Sequence, residues 1–286
     1  MDGAPATQQM CYRHPDREAN VRCTRCDRPV CPECMVSASV GFQCPQCVQQ
    51  GHQGSRAPRT AFGGRVVSHD AVVTKSLIAV NVVVWLLALS LGDHFVMDLE
   101  LVGRGVDYSG QLVGVAEGPD QWYRLLTAMF LHQAVAHIAL NMLSLWWLGP
   151  ALETALGRVR FLTLYLLAGL GGSAASFMLA DANQASLGAS GAIFGLLGGL
   201  GVVVHKLGGD TRPIIIVLVL NLAITFAFSG IDWRAHIGGL VMGGLVAAGM
   251  VYAPRQRRTQ VQVLTCVGAV LLIVVMVWVG TVRITG

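Results

Sequence analysis

Seven apolar stretches fill most of the chain beyond residue 75, and they restrict the fold more than any other feature of the sequence. A bilayer core about 30 Å thick takes roughly 20 apolar residues wound as a helix, and inside it each backbone polar group must find its partner within its own segment. The stretches run from Ser76 to Leu91, Ala134 to Leu148, Arg160 to Leu179, Ser190 to His205, Pro213 to Phe228, Arg234 to Tyr252 and Val261 to Val282. With 53% hydrophobic and 13% charged residues and a mean hydropathy of +0.57, the chain of 286 residues lies outside the soluble range. The expectation is an all-α polytopic membrane protein with seven transmembrane helices. The segment from Gly92 to Trp122 is too polar and too interrupted by glycine to span, and reads as an extramembrane loop at the interface.

Seven of the eight cysteines fall between Cys11 and Cys47, ahead of the charge-poor part of the chain. Composition therefore separates a small cysteine-rich module, residues 1–50, from a membrane core over residues 73–254 and a last helix with the C-terminus in residues 255–286. Between them a linker over residues 51–72, whose composition already changes near Val48, is rich in Gly, Gln, Arg and Ser and has no apolar periodicity to hold it folded. Residues 1–22 have no apolar core of the kind a secretory signal needs, so the module is expected to stay in the cytoplasm. Thiols remain reduced there, and clustered cysteines read as metal ligands before disulfides.

Charges in the short loops set the expected orientation. With the N-terminus inside, cytoplasmic loops carry Arg158, Arg160, Lys206, Arg212, Arg255, Arg257 and Arg258, against Arg104, Arg124, Arg234 and Arg283 outside. Arg65 and Lys75, just before the first span, add to the bias. The prediction is a multi-pass cell-membrane protein with a cytoplasmic N-terminus and an external C-terminus. The fourth and sixth spans then both begin at the external face.

Ser190 begins the fourth of these spans, within Gly188-Ala189-Ser190-Gly191, and His236 stands near the start of the sixth. A serine hydroxyl is a weak nucleophile until a base takes its proton, and histidine is the side chain best suited to that near neutral pH. Gly188 lets the chain turn sharply into the helix, and Gly191 allows close approach to the hydroxyl. The helix start also presents free N–H groups that an oxyanion could use. Alone, this glycine-rich start is equally a packing device, since Gly191, Gly195, Gly198 and Gly199 would suit a close helix contact whatever Ser190 does. An ionisable residue inside a span is costly and by default marks function. Ala235, Gly239 and Gly243 recur every four residues, which would let the sixth helix lie close enough to the fourth for the two side chains to meet.

His132, His137 and Asn141 form a third group. His137 and Asn141 are four apart on one helical face, and both can donate hydrogen bonds to an oxyanion; interhelical bonding is the other use for such residues.

The order H-x4-H-x3-N in the second span, G-x-S-G at the start of the fourth and A-H-x2-G-x3-G in the sixth resembles the rhomboid intramembrane serine proteases. Tyr123-Arg124 looks like that family's Trp-Arg motif with tyrosine in the first place, and Glu153 with Gly157-Arg158 resembles its E-x3-G-R signature. The resemblance covers about Lys75 to Tyr252. It implies a six-helix core, here with one further helix, and a water-filled cavity holding a Ser190–His236 catalytic dyad. His137, Asn141 and the Ser190 N–H would form the oxyanion hole, with His132 in support. Phe194 would stack on the histidine where the family often has tyrosine. The activity implied is serine endopeptidase cleavage of transmembrane protein substrates in or beside their spans, with no cofactor required for catalysis.

Cys11-x2-His14, Cys23-x2-Cys26, Cys31-x2-Cys34 and Cys44-x2-Cys47 supply eight ligands, which fills two tetrahedral Zn²⁺ sites of the closed, structural kind. The module is similar to B-box zinc fingers. That resemblance implies interleaved ligands, Cys11, His14, Cys31 and Cys34 on one ion and Cys23, Cys26, Cys44 and Cys47 on the other; sequential pairing uses the same residues, and His52 could replace one of them. Seven thiolates around two Zn²⁺ leave a net charge of −3, which Arg13, Arg17, Arg22, Arg25 and Arg28 offset, so their basicity is not read as a nucleic-acid surface. The module is expected to recruit a cytoplasmic protein partner or to regulate access, and its residues favour neither role over the other.

Other classes fit less well. The chain has no His-Glu-x-x-His and no Gly-x-Gly-Asp, and its lysines, Lys75 and Lys206, are expected on the side away from Ser190. A transporter would show an inverted repeat in its hydropathy, and none is visible. The main alternative is a catalytically silent rhomboid-like protein that binds transmembrane clients, although such relatives typically lose the serine or the histidine that this chain keeps.

Overall fold

A computed structural model describes residues 9–54, 59–66 and 70–286, which divide into two compact units, Met1–Pro58 and Arg59–Gly286. In the first unit β1 (Val21–Arg22) pairs antiparallel with β2 (Pro29–Val30), and β3 (Val36–Ser37) with β4 (Phe42–Gln43), ahead of α1 (Pro45–Gly54). Strands of two residues bury little. The interior of this unit is instead made of Cys11, Cys23, Cys31, Cys34, Cys44 and Cys47 with Ala19 and Val30.

The second unit begins with a turn closed by the bridge between Arg59 and Arg65, followed by α2 (Val72–Leu91) and α3 (Asp93–Leu99). A short hairpin, β5 (Gly105–Val106) with β6 (Leu112–Val113), leads to α4 (Arg124–Thr127). The remaining helices are α5 (Val135–Leu156), α6 (Arg158–Leu179), α7 (Ser190–Lys206), α8 (Arg212–Ala227), α9 (Trp233–Val251) and α10 (Arg258–Thr285). Among the described residues, α2, α5, α6, α9 and α10 are long and apolar enough to cross a membrane, while α7 and α8 are apolar but shorter, at 17 and 16 residues. Each expected apolar stretch is thus a helix. Trp146 and Trp147 on α5 and Leu271 and Trp278 on α10 point outward, as lipid-facing side chains do.

Two boundaries differ from the sequence reading for identifiable reasons. α5 does not stop at Leu148 but runs through Pro150 to Leu156, even though proline removes a helix bond. Leu152, Glu153 and Leu156 beyond it are buried, and Glu153 accepts from the backbone N–H groups of Val73 (3.0 Å) and Thr74 (2.9 Å) and from the Thr74 hydroxyl (2.9 Å). A buried carboxylate is tolerable when donors saturate it. The same bonds satisfy the free N–H groups that open α2, so that helix begins at Val72 rather than Ser76.

The segment read as a structureless linker also carries structure. α1 continues to Gly54, and Phe62 is buried within the core of the second unit beside Gly64, where any Cβ would meet the Leu156 carbonyl. One aromatic side chain next to two glycines holds this turn together with bonds from Gln262 and Arg59 to the carbonyls of Phe62 and Gly63, and one apolar anchor leaves no periodicity to detect. Residues 55–58 and 67–69 lie outside the described residues.

Small residues bring α6, α7 and α9 together. A Cβ on Gly195 would lie 2.8 Å from the Gly239 carbonyl oxygen, and one on Gly172 would lie 2.6 Å from that of Ala235. Gly239 and Gly243 similarly face the backbones of Gly191 and Gly195. The stripe of Ala235, Gly239 and Gly243 is therefore the α7-facing side of α9, packed backbone to backbone. At the opposite edge, Arg124 is 2% exposed and donates to the carbonyls of Met97 (2.7 Å) and Glu100 (3.1 Å), capping the end of α3. Nearby, Tyr123 and Thr127 bond the carbonyls of Asp98 and Leu99, which clamps the loop after α2 onto the helical core.

Candidate active site

α7 starts at Ser190, with Ala189 as its cap residue and Gly188 at φ +127°, a backbone angle that L side chains rarely adopt. The glycine lets the chain turn directly into the helix, so the serine occupies the first helical position and its N–H has no intrahelical partner. α9 delivers His236 from the adjoining helix, and its Nε2 lies 2.7 Å from Ser190 Oγ. Phe194, one turn beyond Ser190, stacks on the imidazole with ring centroids 4.2 Å apart and planes 17° from parallel. His236 is 7% exposed.

The second imidazole nitrogen is also held. Nδ1 lies 2.8 Å from Oγ1 of Thr225 on α8, and that hydroxyl donates its single proton to the Asn221 carbonyl at 2.7 Å. With its hydrogen committed, Thr225 can only accept, so Nδ1 carries the proton. Nε2 then presents a lone pair to the Ser190 hydroxyl.

Asp232 connects the segments that lead into both residues. Its Oδ1 accepts the N–H groups of Arg234 (3.1 Å) and Ala235 (3.4 Å), capping α9, and its Oδ2 accepts the hydroxyls of Ser176 (2.5 Å) and Ser186 (2.7 Å). Ser186 precedes Ser190 by four residues, as Asp232 precedes His236. One carboxylate therefore sets the relative position of the two helix starts.

His137, in the first turn of α5, faces the same place. A Cβ on Gly188 would lie 2.8 Å from His137 Nε2 and 3.8 Å from Ser190 Oγ, so imidazole and hydroxyl flank the glycine. Asn141 is buried one turn further on and donates from Nδ2 to the His137 carbonyl at 3.0 Å. His132 is buried in the loop before α5, its ring edge-on to His137 at 4.9 Å. Sequence reasoning missed Thr225 and Asp232. Asp232 had a readable signal, an acidic residue one place before an apolar helix, which is a helix N-cap. Thr225 had none, because threonine in a span is unremarkable until its neighbour is known.

In the first unit the metal-ligating side chains gather into two groups, Cys11, His14, Cys31 and Cys34, and Cys23, Cys26, Cys44 and Cys47, with the ligand atoms of each within 4.8 Å of one another. His14 Nδ1 lies 3.4 and 3.5 Å from the sulfurs of Cys31 and Cys34, and the Cys26 and Cys44 sulfurs are 3.8 Å apart. Zn–S bonds of about 2.3 Å in a tetrahedron place sulfurs roughly 3.8 Å from each other, so both groups fit a tetrahedral ion. Burial would raise the Cys11 thiol, but the backbone N–H groups of Cys31, Arg13 and His14 outweigh it and bring it to about 6; Cys23 reaches about 6 for the same reason. The groups interleave along the chain, and the side chain of His52 lies outside the described residues.

Comparison with known proteins agrees with this architecture. A family profile described as Rhomboid domain matches residues 119–254, and one described as B-box zinc finger matches residues 6–38. The chain belongs to the rhomboid family. It is 33% identical over 191 residues to "Putative rhomboid protease YdcA" of Bacillus subtilis, an alignment that covers 65% of this chain and 92% of that protein. It is also similar to "Rhomboid protease GluP" of the same bacterium, 45% identical over 146 residues, and to "Rhomboid-type serine protease 2" of Emericella nidulans, 33% identical over 150. Those two alignments cover 49% and 50% of this chain but only 28% and 30% of the relatives' own lengths.

Proposed function

We propose that this multi-pass membrane protein is an intramembrane serine endopeptidase that cuts transmembrane protein substrates in or near their spans. The observation that carries the reading is the 2.7 Å contact between Ser190 Oγ and His236 Nε2. Ser190 attacks the scissile carbonyl carbon while its proton passes to His236 Nε2. The oxyanion is met by the Ser190 N–H and the His137 side chain, with Asn141 completing the donor set by a rotation of its amide. His236 then protonates the leaving amine, and water, deprotonated by the same nitrogen, releases the acyl group and restores the serine. Thr225 holds the imidazole in its reactive tautomer, and Phe194 holds its plane.

The names of the relatives support this reading, since they are proteases and rhomboid proteases in words. The loop charges support a cytoplasmic N-terminus and an external C-terminus, which put Ser190 and His236 toward the outer face. The B-box match and the tetrahedral spacing of two ligand groups support two structural Zn²⁺ ions. Their closed ligand sets leave no open position for chemistry, so the ions serve the fold of the module, whose ligand we place among cytoplasmic proteins.

The test is cleavage of a single-span model substrate by the purified full chain beside Ser190→Ala and His236→Ala. Loss of cleavage in both variants is expected, together with fluorophosphonate labelling of the wild type that Ser190→Ala abolishes. Cleavage that survives in both would remove the dyad, and no cleavage by the wild type would favour the client-binding alternative.

A further inference from the structure

At the end of the bundle remote from Ser190, three guanidinium groups converge on Gly63. Arg59 Nη1 donates to the Gly63 carbonyl at 3.0 Å, while Arg258 Nη1 and Arg160 Nη2 lie 3.0 and 3.6 Å from the point where a Cβ on Gly63 would stand. Among the described residues no carboxylate comes within 4 Å of any of the three. Gly63 is buried at φ +86°, and a side chain there would collide with Arg258 Cδ at 2.7 Å, so the glycine is what lets the groups approach.

The arrangement is held in place. Arg160 Nε donates to Gln262 Oε1 at 2.8 Å, and the Gln262 amide is buried and donates to the carbonyls of Phe62 (3.1 Å) and Met250 (2.8 Å). Arg160 sits in the first turn of α6 and Arg258 begins α10, and neither helix has an acidic residue in its first turn. A helix N-terminus already carries partial positive charge, so cations there are misplaced unless an anion answers both. Like charges so close cost free energy that an anion would reverse.

We propose that Arg59, Arg160 and Arg258 form a binding site for a phosphate group. Arginine forks match phosphate oxygens in pairs, and the two helix N-termini add free N–H groups. The site lies at the ends of two long apolar helices, α6 and α10, the depth at which phospholipid headgroups begin. An anionic phospholipid headgroup and free phosphate share this chemistry.

The experiment places the full chain in nanodiscs of phosphatidylcholine alone, of phosphatidylcholine with phosphatidylglycerol, or of phosphatidylcholine with inorganic phosphate in solution. Thermal midpoint and retained lipid by native mass spectrometry are read for the wild type, for Arg59→Gln/Arg258→Gln and for the exposed control Arg255→Gln. Phosphatidylglycerol is expected to raise the midpoint of the wild type and the control. The double variant should lose that rise and bind the lipid roughly tenfold or more weakly. A rise with inorganic phosphate that needs the arginines would support the site with the free anion as occupant. An equal rise in wild type and double variant, or no rise with either anion, would overturn the proposal.

Discussion

Thr225 Oγ1 stands 2.8 Å from Nδ1 of His236 and gives its own proton to the Asn221 carbonyl, so the histidine can only donate to it. A dyad candidate thus has a third, neutral side chain behind the base, supplied by a helix that neither motif lies on.

Thr225→Val keeps the shape of the side chain and removes the acceptor. The expected result is about a tenfold fall in kcat with little change in KM, the equivalent of one hydrogen bond of about 1.4 kcal/mol, with Thr225→Ser restoring most of the rate. Equal rates for threonine and valine would remove the orienting role.

Asp232→Ala should lower both stability and turnover. It deletes a helix cap and leaves the Ser176 and Ser186 hydroxyls without their acceptor, a loss of about 2 kcal/mol or more. Asp232→Asn, which keeps one carbonyl acceptor, should fall between. Thermal unfolding in detergent measures the first effect, and single-turnover cleavage the second.

Gly239→Ala pushes a methyl group into the Gly191 carbonyl, while Gly244→Ala on the same helix meets nothing within 4 Å. The first should cost about 1–3 kcal/mol by overpacking and separate Ser190 from His236; the second should leave stability within about 1 kcal/mol and activity unchanged. Comparable losses in both variants would mean that the close packing of α7 and α9 is not what holds the pair together.

Metal analysis of the full chain should return two Zn²⁺ per molecule. A strong chelator, or Cys44→Ser, should open residues 9–54 to proteolysis, since their interior consists mainly of the ligand cysteines. Cleavage of a model substrate should persist after chelation. Protection that survives metal removal would count against a metal-held module.

Much of the arrangement was legible beforehand because membrane helices are written in composition. Each apolar stretch became a helix, and the four-residue stripe of Ala235, Gly239 and Gly243 pointed to the face of α9 that meets α7. The misjudged places had the opposite character. α5 continues past Pro150 because Glu153 is bonded 79 and 80 positions away in the chain, at Thr74 and Val73. The turn at Phe62 depends on one buried side chain and on the bond to its carbonyl from Gln262, 200 positions away. Neither leaves a local pattern.

The same division runs through the candidate site. Residue types and spacing alone were enough to put a serine and a histidine at the starts of two helices and metal ligands in four pairs, because helix length, loop charge and ligand count are properties of segments. Only the tertiary structure decided that Nε2 of His236 faces Ser190, that Thr225 and Asp232 complete the surroundings, and that three arginines meet at Gly63. These are angstrom-scale meetings between helices distant in sequence, and hydrogen bonding selects them through geometry that exists only once the helices have packed.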